Sequence, residues 1–268
     1  MRGTLAEVYT RLLSHFGQPH DWWPIFGDDA AFEMLLGAVL VQRTRWESVE
    51  QAILRVQAHG WLSPQALAHA DPATLAELLR PVAYYRQKAD GLIAVCRYLC
   101  ARHSGDVRRI LNQPTLAARD ELLHLPRIGN ETADVILLYA GGHALFVVDA
   151  YTRQLFARVQ PEPPLAWETV RYAVMQAHIQ QQLDDPDLPN SQDWATLYGD
   201  FHALINEQCV RYCLTRKPRC DGPPARRVYS VQVGRESYLA REDGCPLRAI
   251  CTYYQHGPHE PHEPHEPR

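Results

Sequence analysis

Thiol side chains near the C-terminal end of the chain have the clearest capacity for chemistry. Five of the seven cysteines lie within residues 209–251. Cys213 and Cys220 are separated by six residues, and Cys245 and Cys251 are separated by five. Clustered cysteine thiolates bind iron–sulfur clusters or zinc. A disulfide framework is disfavoured, because the sequence shows no secretory signal.

An aspartate at the end of an apolar run is the second candidate. The run at residues 145–148 leads directly into Asp149, and the helix-spaced apolar residues Leu155, Phe156 and Val159 follow. This pattern predicts that the Asp149 carboxylate caps a helix. Asp149 could be a helix cap and nothing more, but a capping carboxylate is also held rigidly enough to serve a reaction.

A short turn between two helical patterns is the third candidate. At residues 125–130, Pro126 limits continuation of the first helix and Gly129 relaxes the backbone. The free N–H groups that begin the second helix can hold a phosphate oxygen. Taken alone, this motif fits an ordinary helix–helix turn equally well.

Together these motifs resemble the endonuclease III type of DNA glycosylase in the helix-hairpin-helix superfamily. The resemblance extends from about residue 32 to 251 and includes segments 32–44, 84–89 and 201–205. It implies an all-α fold of two helical lobes with a C-terminal four-cysteine iron–sulfur loop. One domain is expected over residues 26–135, with the hairpin, and the second over residues 1–25 plus 136–255. Residues 256–268, with their His-Glu-Pro triplets, are expected to be a disordered tail.

Glu131 separates this chain from the bifunctional members of that family. Those members carry a lysine at this position that attacks the sugar, whereas a carboxylate cannot form a Schiff base. Asp149 matches the family aspartate that would stabilise positive charge on the deoxyribose and orient the attacking water. The resemblance therefore implies base excision without the lyase step, with Asp149 as the first catalytic residue and Glu131 in a role left open.

The resemblance also assigns residues to the DNA. Gln42 would fill the gap left by a flipped nucleotide, although it could equally be a polar residue at a helix end. The hairpin would hold phosphate through backbone amides, and Lys217 would also meet phosphate. Arg127 stands where the family usually has glycine. The expected DNA-binding residues are Gln42, Arg127, Ile128, Gly129, Asn130, Thr132 and Lys217.

The family's cysteine loop gives the cysteines their expected role. Its first and last spacings match, but the middle gap holds twenty-four residues, 221–244, where the family has two. We interpret the insert as a surface excursion with strand-like alternation at 228–239, since loop-closure penalties grow slowly with length. A [4Fe-4S] cluster is the expected cofactor, with zinc as the alternative; the expected ligands are Cys213, Cys220, Cys245 and Cys251.

Tryptophans indicate the branch of the family. Trp22 and Trp23 precede the helix that carries Gln42, and Trp46 follows it. Adjacent tryptophans with a glutamate in the lysine position resemble the 3-methyladenine glycosylases of the endonuclease III type, in which aromatic rings sandwich a flipped, alkylated base. The alternative is that these rings belong to the core. That branch can also lack the iron–sulfur cysteines, which this chain retains.

Lysine is scarce, and this favours a monofunctional enzyme. The chain contains only Lys88 and Lys217, and neither is expected to reach a sugar beside Asp149. We therefore expect a glycosylase that hydrolyses the N-glycosidic bond of a damaged base, with an alkylated purine as the candidate substrate. Two alternatives stay open: an oxidised-pyrimidine glycosylase with weak lyase activity, and an inactive reader of damaged DNA.

Composition sets looser limits. A net charge of −4 argues mildly against DNA binding, but six basic residues and one acid lie within residues 211–227 and could meet phosphates. We expect a monomer that binds double-stranded DNA and no membrane, in the cytoplasm and with the nucleoid if the source is bacterial. Helix-spaced apolar residues predict helices at 47–56, 73–79, 89–99 and 116–125, with breaks at Pro64, Pro72, Pro81 and Pro114.

Overall fold

The computed structural model describes residues 3–19, 22–225 and 244–257. This part of the chain is helical and contains no β-strand, which confirms the predicted all-α class. None of its helices is both long and apolar enough to cross a membrane. The helices are α1 (Leu5–Phe16), α2 (Ala30–Leu40), α3 (Trp46–Ala58), α4 (Pro64–Ala68), α5 (Pro72–Leu78), α6 (Tyr85–His103), α7 (Arg108–Leu111), α8 (Thr115–Leu123), α9 (Asn130–Gly141), α10 (Ala150–Val159), α11 (Tyr172–Gln182), α12 (Trp194–Arg211) and α13 (Thr252–His256), with a 3₁₀ turn at Arg248–Ile250 before α13.

All four helices predicted from apolar spacing are confirmed, as α3, α5, α6 and α8. Pro64 and Pro72, expected as breaks, are the first residues of α4 and α5. Proline fits this position because the first helical N–H has no partner within the helix. Ser63 and Asp71 cap the two helices by accepting from the N–H groups of Ala66 and Thr74.

Helix packing creates a continuous apolar interior. Helices α4 and α5 pack on α6, while α2 and α8 pack on α9. Helices α1 and α10 pack on α12, and α9 also contacts α12. The domain boundaries expected from the sequence stay a prediction. The strand-like stretch at 228–239 and residues 258–268 of the expected tail lie outside the described residues.

A buried carboxylate connects the hairpin to the rest of the fold. Asp134 on α9 is fully buried, and its oxygens accept from Arg119 Nε (2.6 Å), Tyr172 Oη (2.8 Å) and Gln176 Nε2 (2.7 Å). The Tyr172 hydroxyl also accepts from the Val148 N–H at 3.4 Å. Asp134 therefore links α8, α9 and α11 to the run that leads into Asp149.

Replacing Asp134 tests this linkage. Asp134→Ala should lower the free energy of unfolding by about 3–5 kcal/mol, because it leaves the Arg119 guanidinium without its buried partner. Urea denaturation followed by circular dichroism would measure the change. As a matched control, Glu77→Gln removes an exposed ion pair with Arg80 and should change stability by less than about 1 kcal/mol. Equal effects of the two substitutions would contradict the proposed importance of Asp134.

Candidate active site

Asp149 caps the N-terminus of α10, as its sequence context predicted, and both carboxylate oxygens are occupied. Oδ1 accepts from the Thr152 backbone N–H at 2.7 Å and from the Thr152 hydroxyl at 2.8 Å. Oδ2 accepts from Asn206 Nδ2 at 3.1 Å and lies 3.4 Å from His202 Nε2. Four donors around one carboxylate fix its orientation, and the N-terminus of a helix favours its negative charge.

Electrostatics keep Asp149 ionised. Burial alone would raise the pKa of this carboxyl, because a low-dielectric surrounding disfavours charge. The hydrogen bond and charge of His202, together with the two bonds from Thr152, outweigh burial and lower the pKa below 3.8. Asp149 is therefore a fixed negative charge at neutral pH.

Glu131 has the opposite character. It lies in the first turn of α9 and makes no hydrogen bond to any residue that the structure describes. Its side chain is reached by solvent, yet burial among protein atoms and the nearby charge of Asp149 raise its pKa to about 7, against the opposing effect of His202 and Arg153. Asp149 and Glu131 are thus two neighbouring carboxyl groups whose pKa values are displaced in opposite directions, a pattern typical of acid–base sites.

A histidine that the sequence interpretation gave no role lies behind Asp149. His202 on α12 is buried, and its Nδ1 is 2.7 Å from the Tyr139 hydroxyl of α9. Its ring also contacts Trp22 edge to face at 5.8 Å. The only sequence signals were polar side chains, His202 and Asn206, within the otherwise apolar residues 201–206.

Trp22, Trp23 and Trp46 are brought together, with Tyr139 as a fourth ring that sequence analysis missed. Trp23 lies 5.3 Å from Trp46 and 5.7 Å from Tyr139, while Trp22 lies 5.8 Å from Tyr139. A Cβ at Gly37 would lie 3.0 Å from the Trp23 ring, so a glycine within α2 gives this indole room. Two of these rings, Trp22 and Tyr139, also contact His202, which lies 3.4 Å from Asp149.

In the hairpin turn, the residue with a strained backbone is Arg127 and not Gly129. Arg127 adopts a φ of 67°, the left-handed region in which glycine is favoured, while Gly129 has an extended φ of −100°. The expectation that Gly129 relaxes the turn is therefore wrong, because the positive φ falls at Arg127. Open space surrounds the position that a Gly129 Cβ would take, so the backbone there can be approached closely. The Arg127 side chain packs against Gly91 of α6.

Gln42 lies against this hairpin. Its Nε2 donates to the Arg127 carbonyl at 2.8 Å and to the Thr132 hydroxyl at 2.9 Å. To enter a DNA gap, the Gln42 side chain would exchange these bonds for bonds to DNA. The contact unites three of the residues expected to bind DNA.

Lys88 holds the chain that carries Gln42. Its buried ammonium group donates to the carbonyls of Leu40 and Gln42, both at 2.8 Å, and to the Thr44 hydroxyl at 3.2 Å. Three donors thus meet three acceptors. Burial, with a smaller effect of Arg127, lowers the pKa of Lys88 to about 8, so the group still carries its charge at neutral pH.

The four cysteines expected as ligands line one small cavity together with Arg158 and Gln208. Arg158 Nη1 donates to Cys213 Sγ at 3.1 Å, and Gln208 Nε2 donates to Cys245 Sγ at 3.0 Å. A hydrogen bond from Cys209, assisted by Arg158, lowers the pKa of Cys213 to about 7 against the effect of burial. Such donors suit sulfur atoms that carry negative charge.

The two ends of the insert meet. The Cys245 N–H donates to the Cys220 carbonyl at 2.9 Å, so residues on either side of the insert are neighbours. Gly244 has a φ of +84°, and a Cβ there would lie 2.9 Å from the Cys220 carbonyl. This geometry agrees with an excursion that leaves the cysteine loop and returns to the same point.

The structure does not connect two of the predicted features, a metal site and the DNA contact of Lys217, with Asp149. Within residues 3–19, 22–225 and 244–257, no group of three or more His, Cys, Asp or Glu side chains is arranged to hold a metal ion. Lys217 is exposed on the segment between Cys213 and Cys220. No contact among the described residues connects it to the hairpin or to Asp149.

Comparison with known proteins identifies the family. Residues 36–173 match the HhH-GPD superfamily of base excision DNA repair proteins. A Methanocaldococcus jannaschii protein provisionally named a DNA repair glycosylase is 32% identical over 224 residues, which cover 83% of this chain and 94% of the relative. The chain belongs to the HhH-GPD superfamily, and it is an endonuclease III-like DNA glycosylase of base excision repair.

Solved structures share the fold. H. pylori 3-methyladenine DNA glycosylase bound to 1,N6-ethenoadenine superposes with a TM-score of 0.62 at 25% identity, over 76% of this chain and 95% of that one. An endonuclease III in a non-covalent complex with DNA gives a TM-score of 0.66 at 19% identity, over 94% and 97% of the two chains. The latter likeness shows the helical fold alone.

Lys88 provides a test of how the hairpin side of the site is held. Lys88→Met should lower the free energy of unfolding by about 1–3 kcal/mol, because two buried carbonyl groups lose their donor. Thermal and urea unfolding would measure it. Gln87→Met, the exposed neighbour on α6, is the matched control and should stay within about 0.5 kcal/mol of the unsubstituted protein. A Lys88→Met protein as stable as the control would refute the anchoring role.

Proposed function

We propose that this protein is a monofunctional DNA glycosylase that hydrolyses the N-glycosidic bond of a damaged base and leaves an abasic site. The observation that carries the proposal is a pair of neighbouring carboxyl groups, of which Asp149 accepts several hydrogen bonds and Glu131 accepts none from the described residues. Asp149 supplies fixed negative charge, and Glu131 occupies the position where bifunctional relatives carry lysine.

The two carboxyl groups divide the reaction between them. As the bond between C1′ and the base nitrogen breaks, its electron pair leaves with the base and positive charge develops on the deoxyribose. The Asp149 anion stabilises that charge. Water then attacks C1′, and Glu131, which is ionised above its pKa of about 7, accepts the proton. Asp149 is poorly suited to accept it, since both of its oxygens already accept two hydrogen bonds.

The position of the lysines supports a hydrolytic rather than a lyase mechanism. Lys88 is buried beneath α2 with all three donors engaged, and Lys217 is exposed beside the cysteine loop. Neither has a contact with Asp149 in the described part of the chain. An amine that attacks C1′ would have to come from elsewhere.

The aromatic cluster favours an alkylated purine as the substrate. Trp22, Trp23 and Tyr139 form a cluster of electron-rich rings that contacts His202, the neighbour of Asp149, and such surroundings suit a cationic, electron-poor base. A cationic base leaves as a neutral molecule, so the reaction needs no strong acid. Similarity to a 3-methyladenine glycosylase agrees with this choice.

DNA would meet the face that carries the hairpin and Gln42. The N–H groups that begin α9 have no side-chain cap, and a Cβ at Gly129 would meet nothing within 4 Å, so these groups can donate to a phosphate oxygen. Arg127, Ile128, Asn130 and Thr132 belong to the same turn. Gln42, already bonded to that turn, would fill the gap left by the extruded nucleotide.

Base release from defined duplexes tests the proposed activity. With DNA carrying an alkylated adenine, the protein should release the base and break strands only after alkali. Asp149→Asn should bind DNA normally but lose about a hundredfold or more of the rate, because a neutral amide cannot stabilise the developing charge. Duplexes with thymine glycol or a preformed abasic site test the oxidised-pyrimidine alternative. Base release that is unchanged in Asp149→Asn would refute its catalytic role, and binding without base release from any duplex would indicate an inactive reader of damage.

Borohydride trapping on abasic DNA supplies the control for the lyase question. The protein should yield no covalent adduct, whereas Glu131→Lys should yield one, because it restores an amine where bifunctional relatives have it. An adduct with the unsubstituted protein would show that another amine reaches the sugar and would overturn the monofunctional assignment.

We further propose that Cys213, Cys220, Cys245 and Cys251 hold a [4Fe-4S] cluster. Four thiols line one cavity, with Arg158 and Gln208 donating to sulfur, and this donor set supports the proposal, although the thiols do not surround a common metal position in the described residues. When bound, the cluster would supply a rigid cross-link of the C-terminal loop and a redox centre. Zinc, which needs the same four ligands, is the alternative.

Colour and metal content distinguish these cofactors. Protein purified without oxygen should be yellow-brown with a broad visible absorption band, and Cys213→Ser should lose the band. Cys100→Ala, a half-buried cysteine outside the cavity, is the matched control and should keep it. A colourless protein with stoichiometric zinc would favour zinc, and one with neither metal would refute both assignments.

A further inference from the structure

His202 is a buried group that contacts both the aromatic cluster and the proposed catalytic carboxylate. Its residue is 4% exposed. Nδ1 lies 2.7 Å from the Tyr139 hydroxyl, and Nε2 lies 3.4 Å from Asp149 Oδ2. The mechanism above gives this imidazole no role, although it touches Asp149 directly.

Proton positions around His202 follow from counting donors and acceptors. Asn206 Nδ2 has two hydrogens, and both have oxygen acceptors at 3.1 Å, Asp149 Oδ2 and the His202 carbonyl. Asn206 Nδ2 also lies 3.4 Å from His202 Nε2, but both of its hydrogens are directed to the nearer oxygen atoms. An unprotonated Nε2 would direct its lone pair at the Asp149 carboxylate, which is repulsive. The neutral ring is consequently protonated on Nε2 and accepts the Tyr139 hydroxyl hydrogen at Nδ1.

The same network also satisfies the protonated ring. If Nδ1 gains a proton, it donates to the Tyr139 oxygen. The Tyr139 hydrogen can then turn to the Gly199 carbonyl, which is 3.0 Å away. In both protonation states Nε2–H points at Asp149, and no buried donor is left without an acceptor.

We propose that His202 is a positioning residue for Asp149, and that Tyr139 holds the imidazole in the tautomer that donates to the carboxylate. This inference rests on the proposed function for its kinetic consequences, although the tautomer itself does not depend on activity. The titratable groups that face Asp149 are Glu131 on α9, and His202 and Cys209 on α12. Burial raises the pKa of Asp149, and the His202 donor opposes this effect. Without that donor, the pKa of Asp149 should rise, so the carboxyl should hold its proton to a higher pH.

Substitutions that retain different halves of the imidazole test the proposal. The glutamine amide can reach the place of Nε2, whereas the shorter asparagine amide occupies the place of Nδ1. We expect single-turnover base release to fall about tenfold to a hundredfold in His202→Asn, and His202→Gln to keep clearly more of the rate. DNA affinity should not change in either variant.

The titration of Asp149 separates positioning from a purely structural effect. ¹³C NMR of the Asp149 carboxyl carbon follows this titration directly and leaves Glu131, the proposed proton acceptor, in place. Asp149 gains its proton as pH falls through its pKa, so His202→Asn should move the titration to higher pH and His202→Gln should move it less. An unmoved titration, or equal rates in the two variants, would overturn the proposal.

NMR provides a readout that does not need catalysis. The ¹⁵N shifts of His202 should show a proton on Nε2, and Tyr139→Phe should broaden that signal or mix the tautomers. A ring protonated on Nδ1 alone would overturn the proposal even if the enzyme is active. If the expected tautomer is found but no duplex loses a base, the positioning inference holds and the proposed glycosylase activity fails. Should His202→Asn not fold, Tyr139→Phe carries the same kinetic and NMR tests.

Discussion

The buried Asp134 carboxylate is the interaction on which the geometry of the site depends. It lies on the hairpin helix α9 and accepts from α8 and α11 at once. Tyr172 and Gln176 extend this hydrogen-bond network, because both also bond the backbone of residues 146–148, the run that leads into Asp149. Because a buried charge is stable only when its partners are in place, the hairpin and Asp149 are held in one fixed relation.

Asp149 and Glu131 have similar pKa values in water but acquire different pKa values in this structure. Asp149 is surrounded by donors, and its charge is stabilised. Glu131 has burial and a neighbouring negative charge but no donor in the described chain, so its proton is held to a higher pH. The difference arises from the surroundings, since Asp and Glu differ little in water.

The DNA-facing side is organised by backbone carbonyl groups. Lys88 binds the carbonyls at the end of α2, and Gln42 binds the Arg127 carbonyl of the hairpin. The positive φ of Arg127 is therefore maintained by contacts on several sides, including the packing of its side chain on Gly91. Such strain persists where the surroundings determine the conformation more strongly than the local sequence does.

The sequence by itself determined the features that depend on neighbours along the chain. Apolar spacing predicted α3, α5, α6 and α8, and the residues around Asp149 predicted its helix cap. The resemblance of the cysteine spacings to the family's loop implied a shared location for four thiols. Tertiary structure decided which distant polar groups meet. His202 and Tyr139 are 63 positions apart and Gln176 lies 42 positions from Asp134, so no local pattern records these contacts. The left-handed conformation of Arg127 likewise does not follow from the arginine itself, because packing and hydrogen bonds from other helices outweigh the backbone preference of this residue.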